Sequence, residues 1–174
     1  MALLVKRKGF GQVEPNHLSA QTNGQIYAQL PADASLNILE NGMFLKYDYA
    51  NGKCDLTGEG EWMLVMNEIK LYDERKQGLK DYAMQKVNFM NGEIVPRLLR
   101  TEIGDIFTTN TFGANTSDSA ETQGVTLTVG NKLTVDTSTG YLVVDNSATE
   151  FVWQVVKEYT MPDGQPGVKI QRIA

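Results

Sequence analysis

Gly124-Val125-Thr126-Leu127-Thr128-Val129 is followed by Gly130-Asn131 and then by Lys132-Leu133-Thr134-Val135-Asp136. In both runs apolar and polar residues alternate, and Gly, Asn and Asp break the pattern between them. A period of two over so few residues is the pattern of β-strands with one face buried. Downstream, Phe151-Val152-Trp153-Gln154-Val155-Val156 puts Phe151, Trp153 and Val155 on one face and runs on to Glu158-Tyr159. Pro162-Asp163-Gly164 is a turn, and Gly167-Val168-Lys169-Ile170-Gln171-Arg172 returns alongside, which predicts a closing hairpin. The stretch Gly124–Arg172 therefore predicts a small antiparallel β-barrel or sandwich.

Working outward, Gln25-Ile26-Tyr27-Ala28-Gln29-Leu30 alternates up to Pro31. Met43, Leu45, Tyr47 and Tyr49 alternate with Phe44, Lys46 and Asp48, and Asn51-Gly52 follows as a hairpin turn. Trp62-Met63-Leu64-Val65-Met66 is apolar on both faces, as a central strand is, and Asn67 to Tyr72 carries it toward solvent. Helical spacing of Leu79, Tyr82, Ala83, Lys86, Val87 and Met90 predicts either a short helix near 79–88 or an insertion between lobes. Ile94 to Arg100 runs extended because Pro96 disfavours a helix. Phe112 to Gln123, small and polar, is expected as an exposed loop.

The predicted fold is mainly β: antiparallel barrel or sandwich lobes with one short helix or insertion. Three segments follow: an extended N-terminal arm over 1–24, a β-rich lobe over 25–93 with the insertion near 73–90, and a barrel-like lobe over 94–174. Asn41-Gly42 through Asn51-Gly52-Lys53 to the Trp62 strand loosely echoes Gln123-Gly124 through Gly130-Asn131-Lys132 to the Phe151 strand. Two similar hairpin units or a duplicated lobe would both produce that echo.

Composition excludes several classes. With 174 residues the chain can bury a real core, and its 16 glycines with abundant Thr, Asn and Asp suit a turn-rich β protein. A formal net charge of −5 argues against nucleic-acid binding, which depends on neutralising phosphates. Cys54 is the one cysteine, so no internal disulfide forms and a reducing compartment fits. No apolar run approaches the roughly 20 residues of a membrane-spanning helix. Leu3-Leu4-Val5 precedes Lys6-Arg7-Lys8, the reverse of a secretory signal, so synthesis in the cytoplasm is expected.

Catalytic and metal chemistry find little support. His17, the single histidine, has no neighbouring Cys or His and is expected at the surface, which removes a histidine triad or His-pair metal site. Cys54 is expected to be a structural thiol. Gly9-Phe10-Gly11 and Gly58-Glu59-Gly60 lack the remainder of a nucleotide loop and are expected as turns. Glu102 with Asp105, and Glu59 with Glu61, are carboxylate pairs expected to be solvated. The aromatics Trp62, Tyr141, Phe151, Trp153 and Tyr159 are expected in the core, with Trp62 and Trp153 buried; a sugar platform is the alternative use. No catalytic residue, metal or cofactor is predicted.

The run Arg100-Thr101-Glu102-Ile103-Gly104-Asp105-Ile106-Phe107-Thr108-Thr109-Asn110, the Gly124–Val129 start and the Phe151–Tyr159 strand resemble the head decoration, or capsid cement, proteins of tailed bacteriophages. Glu40-Asn41-Gly42-Met43 and Thr57-Gly58-Glu59-Gly60-Glu61-Trp62 add to the resemblance, while the 73–90 segment is no part of it. The resemblance implies a non-enzymatic β-rich virion protein that binds the major capsid protein on the outer capsid surface, often as a homotrimer held by an N-terminal segment. Leu3, Leu4, Val5 and Phe10 are apolar in a stretch too short for its own core, and Lys6, Arg7 and Lys8 concentrate positive charge in an acidic protein. These residues are the expected capsid-binding arm. The alternative reading is a carbohydrate-binding β-sandwich of a phage fibre or baseplate.

Overall fold

The computed structural model describes residues 2–7, 11–20, 30–36, 38–67, 86–88 (backbone only), 95–113 and 124–174. Fourteen strands are assigned among them. In the first half these are β1 (Ala2–Val5), β2 (Val13–His17), β3 (Ile38–Glu40), β4 (Phe44–Asp48), β5 (Lys53–Asp55), β6 (Glu59–Val65), β7 (Lys86–Asn88) and β8 (Leu98–Leu99). The second half supplies β9 (Ile106–Thr109), β10 (Val125–Thr128), β11 (Lys132–Val135), β12 (Leu142–Val144), β13 (Trp153–Thr160) and β14 (Pro166–Arg172). The fold is mainly antiparallel β, as the alternation predicts.

The closing hairpin is β13–β14, paired from Trp153↔Arg172 to Thr160↔Pro166. Gly164, at φ +84°, makes its turn, in a left-handed conformation that glycine adopts without a Cβ penalty. A bulge between Val155 and Lys157 leaves Val156 and Lys157 outside while Trp153 and Val155 point inward. This hairpin is the centre of a six-stranded sheet in the order β12-β11-β13-β14-β9-β2. A second sheet, of four strands, runs β5-β4-β6-β8, and β1–β10 and β3–β7 are two-stranded ribbons.

β6 is internal to its sheet and apolar on both faces because each face meets a core. Phe44 and Leu64 are cross-strand partners, and with Leu99 they pack toward the six-stranded sheet against Phe107, Trp153, Val168 and Ile170. Phe107 and Trp153 meet edge to face with centroids 4.9 Å apart, and Phe44 lies 5.9 Å from Trp153. Val5 and Leu127 close this core from the β1–β10 ribbon. On the opposite face Leu45, Met63, Val65 and Leu98 join Ala32, Leu36, Leu39, Cys54 and Tyr141 in a second core. Since burying one such side chain is worth about 1.5–3 kcal/mol, the shared sheet couples the two cores strongly.

Four expectations are corrected. Residues 2–7 and 13–17, expected within an extended arm over 1–24, belong to the body: β1 pairs with β10 and β2 pairs with β9. Lys86–Asn88, the end of the expected helix near 79–88, is a strand paired with β3, while 79–85 lie outside the described residues. Phe112, expected at the start of an exposed loop, is fully buried and bridged to Leu142; 114–123 lie outside the described residues. Trp153 is fully buried as expected, but Trp62 is half-buried, with the Lys46 ammonium 4.6 Å from its ring centroid. It lies on the rim of the first core, where Glu59 and Gly60 already face water. The Gln25–Leu30 strand, apart from Leu30, and the 73–85 part of the insertion also lie outside the described residues.

Candidate functional site

The period of two in β1 sorts the expected binding residues into two sets. Leu3 and Val5 face inward, with Val5 wholly buried, and Arg7 continues the same face at 1% exposure. Ala2, Leu4 and Lys6 face outward, and Leu4 is 54% exposed. Lys8 and Phe10 lie outside the described residues. The structure thus separates the residues that the sequence groups as one binding arm. Val5 and Arg7 anchor the segment to its own chain, and Leu4 and Lys6 are open to a partner.

Arg7 anchors through Glu40, itself 1% exposed at the end of β3. The Arg7 Nη2 and the Tyr141 hydroxyl both donate to Glu40 Oε1, and the Gly11 amide donates to Oε2 at 2.7 Å. The Arg7 guanidinium also stands 5.5 Å from the centroid of the Tyr141 ring. A Cβ on Gly11 would fall 2.3 Å from the Asn41 carbonyl oxygen and 2.4 Å from Thr111 Oγ1, so only glycine permits this approach. Thr111 Oγ1 donates to that same carbonyl at 2.9 Å. Burial, with the Glu40 carboxylate beside it, raises the Tyr141 hydroxyl well above the ordinary tyrosine range. The cluster ties the N-terminal segment, the β3–β4 turn, the chain after β9 and the start of β12 into one buried knot. Its carboxylate is fully engaged, which suits a brace and not a general base.

A second buried carboxylate braces the other end of β9. Asp105, expected to be solvated with Glu102, is 1% exposed; Glu102 is exposed. Asp105 Oδ1 accepts from the Ser19 amide at 2.9 Å and from the Ser19 hydroxyl at 2.5 Å, and Oδ2 accepts from the Glu102 amide at 2.9 Å. Arg172 Nη1 donates to the Thr101 carbonyl and hydroxyl, and the guanidinium lies 4.4 Å from the centroid of Phe151. Phe151 has φ +48°, a strained backbone for an aromatic residue, and it packs edge to face on Phe44 at 5.5 Å.

The remaining candidates fall into structural places. Tyr141 and Trp153 are core; Phe151 and Tyr159 are half-buried. The Glu14 carboxylate accepts the Tyr159 hydroxyl and raises it above its ordinary range. Glu61 pairs with Arg100. His17 is exposed at the end of β2, and burial pushes the Cys54 thiol up to about 12. Among the described residues no group of three or more His, Cys, Asp or Glu could hold a metal ion. Sequence reasoning missed Arg7 and Asp105 as buried anchors. For Arg7 a signal existed: it extends the Leu3, Val5 series by one step of two.

Strand edges complete the surface. Pro15 interrupts the edge strand β2, and Phe112 bridges the edge at β12. Ala32 bridges β5, with the Asp33 amide donating to the Cys54 carbonyl at 2.9 Å. β1 differs: Ala2–Val5 holds no proline or charge, and among the described residues its one partner strand is β10. Comparison with protein-family models, with curated proteins and with solved structures returns no match to this chain.

Proposed function

We propose that this chain is a non-enzymatic structural protein of a tailed bacteriophage, which binds the outer capsid surface and stabilises the mature head. The resemblance to head decoration proteins supplies the class. The observation that carries the reading is the use made of buried polar groups. Arg7, Glu40, Tyr141, Asp105 and Thr111 all cross-link segments distant in sequence, which suits a braced, rigid part of a shell. The partner in this reading is the major capsid protein, and a homotrimer on the capsid multiplies weak contacts into avidity.

The test is sedimentation of DNA-filled heads from cells producing the phage that carries this chain. The protein should cosediment with the heads and be reached there by antibody, and heads lacking it should release DNA at lower temperature. A reconstruction should show three copies about a symmetry axis; separated single copies would remove the trimer. Recovery in tail fibres or baseplates, with binding to a glycan, would favour the carbohydrate-binding alternative. Tyr49, 66% exposed and 5.4 Å from the Tyr47 ring, is the surface aromatic on which that alternative would rest.

A further inference from the structure

We infer that β1 stays docked on β10 and offers its free edge to an extended, acidic segment of the shell protein, which adds to the β1–β10 ribbon as a third strand. This rests on the proposed function and names the contact within it. The edges β2, β5 and β12 of the larger sheets are interrupted or bridged, whereas among the described residues β1 carries neither a proline nor a bridge on its outer edge. Release of the strand to act as an arm is opposed by Val5, wholly buried, and by Arg7, buried against Glu40. What β1 presents outward is Leu4 and Lys6. Gly124, at φ +75°, makes room for both: a Cβ there would lie 3.0 Å from Lys6 Cβ and 3.1 Å from Leu4 Cδ1.

Charge selects the occupant. Among the described residues no carboxylate pairs with Lys6, while Arg7 on the inner face already has Glu40. A second copy of β1 added antiparallel about Leu4 would set Lys6 opposite Ala2, which has no carboxylate to meet it. An incoming strand that matches β1 places an apolar side chain beside Leu4 and an Asp or Glu beside Lys6. Because side chains on one face recur every second residue, those two positions are two apart in the partner.

The test uses full-length protein and purified DNA-filled heads stripped of it. Leu4→Lys and Lys6→Glu should each bind the heads about tenfold more weakly while keeping the wild-type melting temperature. Ile103→Lys, at an apolar position that is 72% exposed and belongs to neither strand of the ribbon, should bind normally. Hydrogen exchange on the bound protein should show new protection within Ala2–Val5 with Val125–Thr128 still protected. Loss of protection in Val125–Thr128 would mean that the strand leaves to insert elsewhere, and would overturn the proposal. So would a dimer of the free protein with β1 already protected, since a second copy would then hold the edge. Variants that bind as wild type remove the edge contact alone, whereas wild-type protein that fails to bind heads removes the proposed function with it.

Discussion

Arg7 shows how much one buried side chain can decide. Among the described residues its charge is balanced by Glu40, and Glu40 in turn holds the Gly11 amide and the Tyr141 hydroxyl. Removing one member of a buried ion pair leaves the other unpaired in a low dielectric, so Arg7→Ala should destabilise the fold by about 3–5 kcal/mol in urea titrations. Adding Glu40→Gln should recover part of that loss, because the uncharged amide can accept from the Gly11 amide through its oxygen and donate to the Tyr141 hydroxyl through its NH2; no recovery would show that Arg7 acts only by packing. Alkaline pH probes neighbouring buried groups. Burial pushes the Cys54 thiol from 9.0 to about 12 and the Tyr47 hydroxyl from 10.0 to about 12, and it raises Tyr141 as well. The folded state holds these protons more tightly than the unfolded chain. Their contribution is therefore complete below pH 9 and is lost as pH rises from 9 toward 12. The urea midpoint should fall across that window, and less steeply in Cys54→Ala.

At the scale of elements, β6 and the hairpin β13–β14 place the two tryptophans in different environments. Trp153 is enclosed between sheets, and Trp62 lies at the rim under Lys46. Iodide should quench part of the tryptophan emission, and Trp62→Phe should abolish the quenchable part while leaving a blue-shifted remainder. Equal quenching of both would contradict the placement of Trp62. Apolar residues on both faces of β6 identify a central strand from sequence, since such a strand needs cover on each side. Trp62 was harder: alternation assigns it a face, and only the end of the sheet decides that this face runs out before the tryptophan is covered.

At the scale of the molecule, the expected division into lobes gives way to two cores that share one sheet. Phe44 and Leu64 belong to one core, Leu45 and Met63 to the other, and they are adjacent on the same strands. Unfolding either core exposes a face of β4 and β6, so heating should give one calorimetric transition. Two resolved transitions, or a stable proteolytic fragment covering 94–174, would refute this coupling. The N-terminal segment is part of the same unit, so deleting 2–7 should lower the melting temperature of the whole protein.

The mainly-β class, the faces of most strands and the turns at Asn51-Gly52 and Pro162-Asp163-Gly164 were legible because they follow from local geometry. Side chains alternate across any strand, and glycine reaches positive φ wherever it stands. Even the inward set Leu3, Val5 and Arg7 was written in the spacing. Which strands pair is another matter. Any half-buried strand satisfies the same alternation, so Leu3-Leu4-Val5 reads equally well as a free arm or as a partner for β10. Only packing of Val5 and Leu127 into the first core, and neutralisation of Arg7 by Glu40, selects the second. Asp105 is likewise ambiguous at a turn until Ser19, from the other end of the chain, arrives to donate two hydrogen bonds. Contacts between residues far apart in sequence carry no local signature, because their stability comes from surfaces that exist only once the chain has folded.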